Sequence, residues 1–323
     1  MKKRWLIGFA ALLLMLPIIA WGESGDPIYE AISGITFNIR SEPEASFRVI
    51  EVPALQKVKV YEYLNGWYRV SYKKQMGWVK ESWLWGFRSL DAARYQVPGY
   101  APEIGVITLD KSAWIEGGKF EGVNAAAGTV LAVAGSSDSV YHLHVWRGEG
   151  TLKRDAGALT PFTPWQEARP GDLISGFTTY YHEKQGHPLE AERQHNIAVG
   201  CEGIDGAVVP AGATFSFNEL CGPYLSGRGY KMGPSINADG TGWGGGVCQV
   251  STTLFDAVLG LPLQIEAWEP HQQTGVDYVP ISFDAAVGYT SDFTFVNTLG
   301  YPVRIWAQPQ NGAITVLLYR AEE

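Results

Sequence analysis

The sequence predicts a multidomain chain: a small all-β unit, a β-rich middle segment and a C-terminal α+β domain. Aromatic residues make up 13% of the 323 residues and charged ones 18%, a balance of folded β structure rather than disorder. From Ile35 to Leu84, short β-type runs alternate with turn residues. Beyond Gly244 the period changes. Val250, Leu254, Ala257, Val258 and Leu261 recur at three- and four-residue intervals, which predicts a helix with one apolar face, stopped by Gly260 and Pro262.

In chain order, Lys2, Lys3 and Arg4 precede the uncharged run Leu6 to Ala20, and polar Glu23 to Asp26 follow. Residues 1–24 therefore read as a secretory signal peptide, with an uncleaved anchor as the alternative. This predicts an extracellular or cell-envelope location, with membrane contact only through that segment. No cysteine stands near residue 20, which excludes a lipid-anchored precursor. A net charge of −8 argues against nucleic acid as a partner.

Residues 28–88 form the first unit. Ile35 to Arg40 reads as a strand, and Val58 to Tyr63 alternates as a half-buried strand does. Asn65-Gly66 is a hairpin signal before Trp67 to Tyr72, and Gly77-Trp78-Val79 closes the unit with Trp83 and Leu84. The series Phe37 to Ser41, Asn65 to Val70 and Gly77 to Val79 resembles the bacterial Src-homology-three-like family of small β barrels. That resemblance implies a binding module, often for peptidoglycan or its stem peptides, with Trp78 expected in the barrel core.

Residues 89–164 carry strand-like runs at Gly105 to Leu109, Thr129 to Val133 and Tyr141 to Trp146, separated by Gly, Ser and Asp turns. A degenerate second barrel is one reading. His142 and His144 share one strand face without a third ligand in view, so a polar face is expected rather than a metal site.

From 165 to 323 the texture becomes mixed. Arg193 to Val199 reads as helical and leads to Cys201; Val208 to Asn218 reads as strand, turn, strand. Arg193 to Ala198, Pro210 to Asn218, Gly229-Tyr230, Gly244 to Thr253, His271, Tyr278 to Pro280, Asp284 to Val287, Asp292 to Asn297 and Tyr301 to Val303 together resemble the VanW-like family. The resemblance implies the cell-wall context of a vancomycin-resistance cluster and leaves the chemistry open. Trp268 stands where a basic residue is expected.

The candidate chemistry centres on Gly244-Gly245-Gly246-Val247-Cys248-Gln249. Cys248 falls at the first turn of the predicted helix, where unpaired N–H groups and the helix dipole favour a thiolate. The chain holds only three cysteines, Cys201, Cys221 and Cys248. Cys201 and Cys221 are closer in sequence and can pair, leaving Cys248 as a free thiol, though all three staying reduced is equally compatible. His271 and Asp284 follow in order, which is the logic of a thiol acyl-transfer site: His271 moves the proton and Asp284 orients the ring. Asp277 is a rival for Asp284. The order also resembles the transglutaminase-like branch of papain-fold enzymes. Gly245, Gly246, Gln249 and Ser251 are the candidate substrate-binding residues, with backbone amides or the Gln249 side chain facing an oxyanion. A competing reading makes Cys248 a packed small residue and leaves Gln249, Ser251 and Thr252 to satisfy the helix N-terminus. No metal or cofactor is expected.

Two functions stay open on the sequence. One is a Cys-dependent hydrolase or acyl transferase acting on amide bonds of peptidoglycan stem peptides. The other is a non-catalytic wall-binding or scaffold protein whose Gly-rich loop shapes a peptide pocket.

Overall fold

A computed structural model describes residues 25–91, 95–117, 120–146, 148–181, 188–235, 240–271, 276–310 and 312–322. The expected signal segment, 1–24, lies outside the described residues. Among the described residues, no helix is long and apolar enough to cross a membrane.

The N-terminal unit is a seven-stranded antiparallel sheet. Its spatial order is Arg48–Val52, Phe37–Arg40, Gln75–Lys80, Trp67–Tyr72, Lys57–Leu64, Tyr29–Ser33 and Leu84–Ser89. Asn65 and Gly66 take φ of 46° and 83°, and Leu64 pairs with Trp67 across them, as a two-residue hairpin requires. A second tight hairpin turns on Lys73 and Lys74, both at positive φ. No Gly or Asn marks it in the sequence. Trp67 and Trp78 are both buried.

The middle segment forms two sheets around a separate core. One runs Phe120–Ala125, Ala113–Gly117, Gly148–Lys153, Val140–Val145 and Gly135–Ser136; the other runs Val130–Val133, Gly105–Thr108 and Leu159–Pro161. Ile107, Ile115, Leu131 and Leu143 fill the space between them. His142 Nδ1 lies 2.5 Å from Glu149 Oε1, and His144 Nδ1 lies 3.1 Å from the buried Glu103. Each ring is thus engaged by a carboxylate.

In the C-terminal part, a four-stranded sheet runs Leu173–Tyr180, Ala313–Arg320, Val303–Gln310 and Val208–Val209. Among the described residues, three α-helices belong to this part: α1 (Glu190–Ile204), α2 (Phe217–Cys221) and α3 (Val247–Leu259). Thr178 and Thr179 show how the sheet is covered, because neighbours in a strand face opposite ways. Thr178 Oγ1 accepts a hydrogen bond from Ala132 N at 2.9 Å, in the middle segment, while Thr179 Oγ1 lies 2.7 Å from Thr253 Oγ1 of α3. With both faces covered, Ala313 to Leu318 is a continuous buried run.

The helix α3 differs from the one-sided helix expected. Every residue from Val247 to Leu259 is buried except Cys248, which is half-buried. The polar residues of α3 go inside because each of several finds a bond there. Cys201 and Cys221, a candidate pair, are free buried thiols in this structure. Cys221 Sγ instead donates to Gly200 O at 3.5 Å, and burial pushes its thiol up to about 12.

The N-terminal sheet is docked on the C-terminal part. Arg88 Nη1 donates to the carbonyls of Ile265 and Glu266, and Gln264 Nε2 donates to Ser89 O at 3.1 Å. Gly86, at φ +45°, lies so close that an added Cβ would fall 2.6 Å from the Trp268 ring and 2.9 Å from Ser282 Cβ.

Candidate active site

Glycines set the entrance to α3. Gly246 precedes the helix in the left-handed region, at φ +109°, and a Cβ there would meet Arg193 Cγ at 2.9 Å and Arg193 O at 3.0 Å. A Cβ on Gly245 would sit 2.3 Å from Pro234 O. The loop is therefore glycine-rich because it is threaded between α1 and the hairpin of Met232–Pro234 and Thr241–Trp243. Gly246→Ala is expected to destabilise the fold by more than about 1 kcal/mol, since Ala is strained at this φ and has no space. Urea unfolding of the two proteins measures it.

This threading presents Cys248 at the second residue of α3. Val247 N donates to Gly244 O and Gln249 N to Gly246 O, both at 3.0 Å. The Cys248 amide between them has no partner among the described residues.

His271 and Asp284 converge on the same place. Asp284 is fully buried, and its Oδ2 accepts from both the backbone N and the Nδ1 of His271, each at 2.6 Å. With Nδ1 held there, Nε2 is the ring atom left on the side of Cys248, whose Sγ donates to Val287 O at 3.4 Å. Burial disfavours the charged ring, but the bond to Asp284 and the nearby Cys248 outweigh it, and the His271 pKa rises to about 10. The ring is thus an imidazolium at neutral pH. Cys248 and His271, which is paired with Asp284, face the same cavity. Asp277, the rival acid, is exposed.

The polar side chains of α3 explain how Asp284 is held. Ser251 Oγ donates to Ala285 O at 2.6 Å, and Thr252 Oγ1 accepts from Ala285 N at 3.0 Å. Trp268, in place of the expected basic residue, donates its Nε1 to Asp284 O at 2.9 Å and stacks on Phe255 at 5.4 Å. Helix, tryptophan and acid form one rigid unit.

A cavity of ≈ 380 Å³ opens over Cys248. Gly245, Gly246, Cys248 and His271 line it, as do Tyr278 and Arg193. Two candidate substrate residues are used differently. Gln249 Nε2 donates to Thr179 Oγ1 and Tyr180 O, at 3.1 and 3.3 Å, and its Oε1 accepts from Arg193 at 2.6 Å. Its amide protons are therefore spent inside and not on an oxyanion. Ser251 is fully buried and bolted to Ala285, so it supports the acid instead of meeting a ligand. Sequence reasoning missed Tyr278 as a cavity residue; burial keeps its hydroxyl neutral. It also missed Trp243 and Tyr289, exposed aromatics at the cavity mouth. Their only signal was an aromatic residue beside a glycine.

Comparison with known proteins assigns the two ends of the chain. Residues 192–319 match the family described as VanW like protein, and residues 33–84 match the Bacterial SH3 domain. The C-terminal domain is VanW-like, and the N-terminal unit is a bacterial SH3 domain. YoaR of Bacillus subtilis (strain 168), an uncharacterized protein, is 37% identical over 152 residues, 46% of this chain and 48% of YoaR. The match thus spans about half the length of that curated relative. A crystal structure of an NlpC/P60 family protein from Bacillus cereus ATCC 10987 aligns over 90% of this chain and 99% of its own, at 11% identity. Its TM-score is 0.17, too low to carry an argument about the fold.

Proposed function

We propose that this VanW-like, SH3-bearing chain is an exported, cell-wall-associated enzyme that cleaves or transfers an acyl group through Cys248. The observation that carries the reading is that Cys248, at the start of a helix, and His271, held by the buried Asp284, line one open cavity. The two family matches support the cell-wall setting, and a bacterial SH3 domain supports peptidoglycan or its stem peptides as the partner. On this reading the chain divides into a signal to 24, an SH3 unit at 28–88, a β-rich segment at 89–164 and a VanW-like domain at 165–323. A papain-like arrangement of helix-borne sulfur and downstream His and Asp fits the C-terminal core.

The chemistry follows from the groups in place. The Cys248 sulfur attacks the carbonyl carbon of an amide, and the carbonyl electrons move onto oxygen. The Cys248 amide N–H and the Tyr278 hydroxyl, both of residues that line the cavity, are the donors we assign to that developing oxyanion. As the C–N bond breaks, His271 gives its proton to the leaving nitrogen, and a thioester remains on Cys248. Water or an amine then attacks the thioester, His271 takes a proton from it, and sulfur leaves. Asp284 keeps the ring turned with Nε2 toward sulfur throughout.

Thiol labelling tests the reading. Iodoacetamide at neutral pH is expected to alkylate Cys248 alone, and His271→Ala to slow that reaction by about tenfold or more through loss of the adjacent cation. Equal inertness of all three thiols in the native protein would favour a wall-binding scaffold instead.

A further inference from the structure

The Cys248 cavity is not the end of the cleft. His271 also lines a second cavity, of ≈ 170 Å³, between the two domains. Its SH3 wall includes Leu55, Lys57 and Trp85, and its opposite wall includes Glu269 and Ser282. A ligand whose reacting bond lies at Cys248 reaches this second cavity by passing His271. Because His271 hands its proton to the leaving nitrogen, the part of the substrate beyond it is the part attached to that nitrogen.

Both walls are built rigidly, and both carry strain. Leu55 and Ser282 line the cavity with φ of 64° and 69°, a region that non-glycine side chains avoid and that recurs at ligand clamps. The buried Ser33 hydroxyl fixes the Leu55 turn, donating to Pro53 O at 2.6 Å and accepting from Gln56 N at 2.7 Å. Leu55 N itself donates to Ser33 O at 2.7 Å. Ser282 is buried against Gly86 of the SH3 unit.

The lining specifies a chemistry. Leu55 and Trp85 are apolar. Lys57 Nζ has its side chain 45% exposed and only a long, 3.8 Å ion pair to Glu30, so it is available to a further anion. Glu269, on the opposite wall, is exposed. A cation on one wall and a carboxylate on the other match a zwitterion carried on an aliphatic stem.

We propose that this cavity is the leaving-group subsite of the Cys248 reaction, and that it takes a diamino-acid side chain whose end bears both an amine and a carboxylate. The proposal rests on the reading of Cys248 as nucleophile. The SH3 domain then forms one wall of the substrate site, with the carboxylate on Lys57, the amine facing Glu269 and the stem over Leu55 and Trp85.

Calorimetric binding to the full chain carrying Cys248→Ala tests it without relying on thiol reactivity. The probes are an alanyl dipeptide of 2,6-diaminoheptanedioic acid and the alanyl-lysine dipeptide, which has the stem and amine but lacks the second carboxylate. The first is expected to bind about tenfold more tightly, and adding Lys57→Glu to abolish that preference while leaving the melting temperature unchanged. Equal binding of the two dipeptides, or a preference that survives Lys57→Glu, overturns the subsite. An inert Cys248 in the labelling experiment overturns the nucleophile reading instead, so the two failures are told apart.

Discussion

Cys248→Ala is expected to lower the turnover of a cleaved stem-peptide amide by about 10⁴- to 10⁶-fold, the range for removing a nucleophile from a site that otherwise stays intact. The change is small in volume and falls on the one α3 residue that is not buried, so the fold is expected to survive it. Peptide binding should therefore persist while turnover disappears. The measurement is release of free amine from peptidoglycan fragments, with melting temperature as the control for folding. Turnover equal to that of the wild type would remove Cys248 from the chemistry.

Asp284→Asn is the second large effect. The amide offers N–H groups where the carboxylate accepted two hydrogen bonds from His271, so the ring loses both its orientation and its counter-charge. Turnover is expected to fall by about 10² to 10⁴. The pH profile gives the sharper test. In the wild type, the proton needed by the leaving nitrogen is held below the His271 pKa of about 10 and is lost as pH rises through it. Without the carboxylate the alkaline limb should move to lower pH. A limb left in place would mean that Asp284 only supports the loop.

How far the sequence discloses this site depends on how local each piece is. The SH3 strands follow from alternation and from Asn65-Gly66, because hairpins are set by neighbouring residues. The Lys73-Lys74 turn escapes the same logic, since neither residue advertises a positive φ. Cys248 at a helix start is likewise local, and the order Cys248, His271, Asp284 is visible. That His271 and Asp284 meet is not, because Trp268, Ser251 and Thr252 must first fix the 284–285 backbone. Periodicity also misjudges α3. Gln249, Ser251 and Thr252 read as residues that serve the helix N-terminus, yet each bonds inward to an element distant in sequence. The second cavity is the least legible feature, since its walls come from opposite ends of the chain.

The strand Ala313–Arg320 lies near the end of the chain and yet occupies an interior position in the sheet beneath α3. A ribosome has therefore completed the SH3 domain, the middle sheets and the cysteine-bearing segment before it makes the floor on which that segment rests. Until the strand Ala313–Arg320 inserts between Leu173–Tyr180 and Val303–Gln310, the sheet beneath α3 is incomplete. The helix that carries Cys248 is thus made before the strand that completes its floor.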